Sequence, residues 1–214
     1  MPESRRILVT GFEPFGNMGR NPSADVVRAI RQSDPAKQIV AEILPVEYRR
    51  AEERIDALLL EHRPAAWIGF GLSQRATAIT LERVAVNLDD ATIADNSGEV
   101  RRGQLIETGG EELYRSTLPL DLIARELGHR SIPYVFSDTA GRFVCNHVFY
   151  HTLKTMRLIN SDAMAGFIHL PWPSDWEPAP AVSHNVTLLT AIESAQACVD
   201  VILLKLPRIN ILAT

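Results

Sequence analysis

Cysteine is scarce. Two residues, Cys145 and Cys198, in 214 are too few for a disulfide framework, and a reducing compartment keeps both as thiols. Long apolar runs are missing too: no segment approaches the roughly 18 apolar residues that span a bilayer, and the run in MPESRRILVTGF is too short for a signal peptide. A cytoplasmic protein with no membrane partner is expected. Positive charge does not dominate, because 22 Lys and Arg face 26 Asp and Glu for a net charge of −4. Without a basic stripe, nucleic acid is not an expected partner. Phosphate-cradling glycine patterns are absent as well: GFEPFG lacks the G-x-G-x-x-G spacing, and no G-x-x-x-x-G-K-[ST] occurs, which argues against a nucleotide site. There is no internal repeat, low-complexity tract or clear linker, so residues 1–214 are read as a single domain.

What is present alternates. Arg5–Gly11 is an apolar run that reads as a strand, followed by the aromatic and glycine-rich loop GFEPFGNMGRNPS and the helical spacing of ADVVRAIRQ. Gln38–Leu44 reads as a strand, Tyr48–His62 as an amphipathic helix ending before Pro64, and Ala65–Gly71 as a strand. Ile79–Leu88 alternates apolar and polar residues as a half-exposed strand does, and ATIADNSGEVRRGQ is polar and turn-rich. A helix at Leu120–Leu127, a strand at Ile132–Phe136, a helix at Asn146–Leu158, a strand at Ala163–Leu170 and a helix at Thr187–Leu204 complete the pattern. Strands alternating with helices predict an α/β fold: a mostly parallel sheet covered on both faces. Function in such sheets gathers on the loops beyond the strands' carboxyl ends.

One stretch there, SDTAGRFVCNHVFYHTL, raises three readings. Cys145 follows a glycine turn near a helix start, where the helix dipole favours a thiolate. His169 ends the next strand, at what a parallel sheet makes the same carboxyl edge, and is a candidate base for that thiol. A carboxylate would orient the imidazole; Glu82 sits on a patterned strand, but Asp138, Asp175, Asp89 and Asp90 also lie near candidate loops. Alternatively His147 and His151, spaced i and i+4, share a helical face as metal ligands do, although Val148 stands where the base of H-E-x-x-H belongs and no third ligand is evident. Third, a cysteine at a helix start is more often a small packed residue than a nucleophile. Cys198, within AQACVDVILL, reads as core.

The pattern of motifs resembles the type I pyroglutamyl peptidases, also called pyrrolidone-carboxylate peptidases. GFEPFG with NPS, ERVAVN at Glu82–Asn87, DN at Asp95–Asn96, STLPL at Ser116–Leu120, DTAGRFVCNHVFY around Cys145 and GFIHLP around His169 occur in the family's order over about residues 7–171. The resemblance implies a three-layer α/β/α sandwich around a mostly parallel twisted sheet, and a cysteine peptidase that removes N-terminal pyroglutamate from peptides. It implies a Glu82, Cys145, His169 triad, no metal or cofactor, and a homo-oligomer, a tetramer in many bacterial members. Phe12 and Phe15 resemble the aromatic pair that flanks the lactam, with Phe143, Val144 and Ile93 near the ring; Asn21 matches a loop brace. Departures fall close to the site. GLSQR stands where the family commonly has Gly, Gln, Ala, Gly, Gly, which places Leu72 at the glutamine: recognition of the lactam by backbone atoms there tolerates the change, whereas recognition by the glutamine amide or the arginine charge predicts weaker affinity or a shifted substrate preference. Thr92 replaces a common arginine, Leu81 a proline and Arg142 a threonine. These departures motivate an alternative, a binding module of the same fold that holds a lactam or acyl peptide without turnover.

Overall fold

In a computed structural model, residues 6–34, 38–178 and 182–206 are described; Arg5 and the last residues of LPWPSDWEPAP lie outside them. The chain runs β1 (Ile7–Phe12), α1 (Pro22–Gln32), β2 (Ile39–Leu44), α2 (Tyr48–His62), β3 (Ala66–Leu72), β4 (Ile79–Glu82), β5 (Val84–Val86), β6 (Leu113–Arg115), α3 (Leu120–His129), β7 (Tyr134–Ser137), α4 (Val144–Ile159), β8 (Met164–Leu170) and α5 (Leu188–Lys205). Six strands form one sheet in the order β2-β1-β3-β8-β4-β7, and β5 and β6 pair separately. The sheet is mostly parallel; β4 runs antiparallel to β8.

Two apolar cores cover the two faces. On one, Ile7, Val9, Ile68, Phe70, Ile168 and Leu170 pack against α1, α3 and α5. On the other, Leu8, Trp67, Ala165 and Phe167 pack against α2 and α4. The near-continuous apolar composition of β1, β3 and β8 follows, since each strand buries both faces. Cys198 is fully buried in the first core, as its apolar helical pattern predicts. The aromatic fan of Trp67, Phe149 and Phe167 anchors the second, each ring contributing about 1.5–3 kcal/mol by burial. No described helix is long and apolar enough to cross a membrane.

The helix α2 has the predicted bounds, while α1 and α4 begin two residues before their predictions. Asn21 caps α1 by accepting from the Ser23 N–H, which places Pro22 in the first turn, where its missing N–H costs nothing. The single half-exposed strand expected over Ile79–Leu88 is instead two strands in two sheets, and all four residues of β4 are buried. The alternation is genuine, but its polar half does not face solvent. Ile79 and Leu81 join the first core, while Thr80 and Glu82 lie across from His169 and Phe167 of β8, on the face that carries the site.

Candidate active site

His169 is the penultimate residue of β8, and Glu82 ends β4. Thr80 pairs with His169 and Glu82 with Phe167, so Glu82 and His169 are diagonal neighbours on one face of the sheet. His169 Nδ1–H donates to Glu82 Oε1 at 2.7 Å, with the two residues only 5% and 2% exposed. Glu82 Oε2 is buried with no partner. The imidazole is the one side chain balancing that carboxylate among the described residues, and its other nitrogen is left for the sulfur.

Cys145 reaches the site by an unexpected route. A shared carboxyl edge of parallel strands does not bring it there, because β7 runs antiparallel to β8 through β4. β4 and β7 flank only the carboxyl-terminal part of β8: Ser137 at the end of β7 lies beside Glu82, and Glu82 beside Phe167. The following loop closes through Ser137 Oγ, which accepts from the Thr139 N–H, and turns at Gly141, whose φ of 76° suits a residue without Cβ. It delivers Cys145 into the first turn of α4. There the backbone N–H groups of the first residues have no helical acceptor, and Asn146 locks the helix start by bonding both the N–H and the C=O of Val86 at 2.9 Å.

The sulfur sits over β3. A Cβ on Gly71 would lie 2.9 Å from Cys145 Sγ and 2.8 Å from the Phe167 ring, and Gly71 is the register partner of His169. Absence of a side chain at residue 71 is therefore what allows the thiol to lie beside the imidazole. Burial works against a charge on His169, but hydrogen bonding with Cys145 and Glu82, and their negative charge, push its pKa up to about 10. The half-buried thiol thus adjoins an imidazole that stays protonated at neutral pH.

These groups open into a cavity of about 340 Å³. Phe12, Phe15, Leu72, Phe143 and Val144 line it, along with Asn21. Phe15 and Phe143 are in contact, ring centroids 5.8 Å apart. Asn21 also braces the first loop by donating to Glu13 O, while Ser23 Oγ accepts from the Phe12 N–H. Ile93 is not in the lining: it is 49% exposed. Asp89 and Gln104 exchange backbone bonds and the Ala91 N–H donates to Arg101 O, so this stretch leaves the sheet as a pinned excursion that carries Ile93 into solvent. Sequence reasoning missed Ser73, Arg75 and Thr80 in the wall. Ser73 and Arg75 lie in the GLSQR stretch whose departure from the family falls close to the site, and Thr80 shares its parity with Glu82.

Neither histidine of the i, i+4 pair joins the cavity. His147 bonds Asp89 at 2.8 Å and Glu52 at 3.0 Å, so both its ring nitrogens are engaged by carboxylates between α2 and α4. His151 bonds Asp56 at 2.7 Å. Arg142 is half-exposed and pairs with Asp90 at 3.3 Å.

A thiol at a helix start beside a buried imidazole that a carboxylate holds, opening into an apolar cavity on an α/β/α sandwich, is the arrangement a thiol-dependent hydrolase needs. The family model for pyroglutamyl peptidase matches residues 5–203. The chain is 41% identical over 194 residues to a pyrrolidone-carboxylate peptidase of Cupriavidus pinatubonensis, covering 89% of this chain and 87% of that one. It is 40% identical over 179 residues to pyrrolidone-carboxylate peptidase 1 of Ralstonia nicotianae, covering 83% and 81%. The crystal structure of Bacillus amyloliquefaciens pyroglutamyl peptidase I superposes with a TM-score of 0.87 at 30% identity, over 94% of this chain and 97% of that one. The pyrrolidone carboxyl peptidase of Thermococcus litoralis gives 0.86 at 31%, over 93% of each. This chain belongs to the pyroglutamyl peptidase family.

Proposed function

We propose that the protein removes N-terminal pyroglutamate from peptides by acyl transfer, with Cys145 as nucleophile, His169 as acid and base, and Glu82 as the group that orients His169. The observation that carries this reading is the buried 2.7 Å bond from His169 to Glu82, on an imidazole whose pKa is raised by its contact with Cys145. Cys145 attacks as the thiolate of an ion pair with imidazolium. The carbonyl oxygen that becomes negative meets backbone N–H groups in the first turn of α4, where the helix dipole adds to their pull. His169 gives its proton to the departing amine, then takes one from water, which hydrolyses the thioester. A pyroglutamyl ring is neutral and flat, and the wall of Phe12, Phe15, Phe143 and Val144 suits it. Leu72 contributes apolar surface and backbone atoms at the same wall. A single catalytic domain, homo-oligomeric assembly and cytoplasmic location go with this reading by family resemblance.

The test is release of a chromophore from a pyroglutamyl amide. The reduced protein should turn it over and lose activity to iodoacetamide, and Cys145→Ala should lose at least about 1,000-fold in kcat/KM. Full activity in that variant would sink the assignment.

A further inference from the structure

The charges of the cavity do not match a neutral acyl group. Its lining holds two guanidiniums, Arg75 and Arg142, and one carboxylate, Glu82, which His169 already balances. Arg142 is paired with Asp90 at 3.3 Å. Arg75 has no ion pair or hydrogen bond among the described residues. Its side chain is exposed, but the backbone of its turn is held in place. The loop after β3 begins where the Ser73 N–H donates to Leu170 O at 2.9 Å, one residue beyond His169, and it closes as the Ala76 N–H donates to Ser73 O. Gln74 contacts Met18 of the first loop at 3.0 Å. Arg75 is thus set in a turn pinned on one side to the strand that carries His169 and on the other to the loop that carries Phe12 and Phe15.

We infer that the enzyme selects peptides with a carboxylate beyond the scissile bond, and that Arg75 is the residue that recognises it. This rests on the acyl-transfer reading of the site. A pyroglutamyl ring bears no charge, so an unpaired guanidinium in the wall has no ion-pair partner on the acyl side. Negative charge in the substrate lies on the leaving side, either on an aspartate or glutamate side chain at the second residue or on the terminal carboxylate of a dipeptide. Both present the same planar anion, which an arginine fork binds bidentately. Because Arg75 is exposed, the preference is modest and sensitive to salt.

Two substrate pairs separate the sources. pGlu-Glu-Ala-amide against pGlu-Gln-Ala-amide isolates a side-chain carboxylate, and pGlu-Ala against pGlu-Ala-amide isolates a terminal one. At low ionic strength the acidic member of at least one pair should have the higher kcat/KM by roughly 3- to 10-fold. That ratio should fall toward 1 in Arg75→Gln and at about 0.5 M salt. Because the readout is a ratio within each enzyme, a general loss of activity cancels. Equal rates in both pairs, or a ratio that survives Arg75→Gln, would overturn the inference. The ratio of Kd values for the same peptides on Cys145→Ala applies the same criteria without turnover, so failure of the hydrolase assignment and failure of the charge preference are told apart.

Discussion

At the floor of the cavity one carboxylate is balanced by one imidazole. Glu82 Oε1 accepts from His169 at 2.7 Å while Oε2 has no partner, and the carboxylate is one of the groups that raise the pKa of His169. The His169 pKa, normally 6.5, is raised to about 10; its protonated form therefore persists through neutral pH and is lost as pH rises through that value. Glu82→Gln keeps the shape but removes the negative charge and one contribution to the raised pKa. The expected result is a kcat/KM lower by about 100-fold or more, with an alkaline limb displaced to lower pH than in the parent enzyme. A pH–rate profile of both proteins checks this, and an unmoved limb would count against an orienting charge at Glu82. From spacing alone Glu82 was one of five carboxylates near candidate loops, and the arithmetic of sequence contains nothing that separates them. The family resemblance carried by ERVAVN singles Glu82 out, and the physical reason is a diagonal pairing across β4 and β8, a property of register that appears only once the strands are laid side by side.

Elements set that register, and here the sequence was readable for helices and less so for the sheet. The apolar stripe of Tyr48–His62 marked α2 to the residue, because a helix writes its own period. The alternation of Ile79–Leu88 was visible too, yet it suggested solvent on the polar side, since a chemically lined cavity and water leave the same pattern in a strand. Gly71 shows the same limit: a glycine near the end of a strand reads as a turn residue, whereas its neighbours make it the seat of the Cys145 thiol. Gly71→Ala would bring a methyl group to 2.9 Å from Cys145 Sγ and 2.8 Å from the Phe167 ring, inside ordinary contact distance. A strand and a helix start both have to yield, at about 1–3 kcal/mol, and a thiol displaced by about 1 Å can cost on the order of 100-fold in rate. The variant is expected to remain folded by circular dichroism but to lose about 10- to 100-fold in kcat/KM. Parent-like activity would mean that α4 is free to slide over β3.

Across the whole molecule, the two helices on the catalytic face are joined by charge as well as by apolar packing. His147, buried two residues after Cys145, bridges Asp89 at 2.8 Å and Glu52 of α2 at 3.0 Å, and Arg101 donates to the same Asp89 oxygen, Oδ2, at 2.9 Å. Burial opposes a charge on His147, but the bonds to Asp89 and Glu52 outweigh it and raise its pKa above 6.5. Its contribution to stability is therefore complete below 6.5 and is lost as pH rises through the raised folded value. Glu52 runs the other way. Its bond to His147 is the largest cause of a pKa held below 4.5, so its contribution is present above 4.5 and fades as pH falls through the folded value. Both contributions are in place between 4.5 and 6.5. His147→Gln keeps hydrogen-bonding capacity without the charge, and Arg101 remains to balance Asp89, so the loss should sit near the lower end for a broken buried pair, about 3 kcal/mol, or roughly 6–12 °C in Tm. The difference in Tm between the two proteins should be largest in that window and shrink as pH is raised. A difference that stays constant with pH would mean that His147 holds α2 to α4 as a neutral ring, by its edge-on packing against Tyr48 and its hydrogen bonds alone.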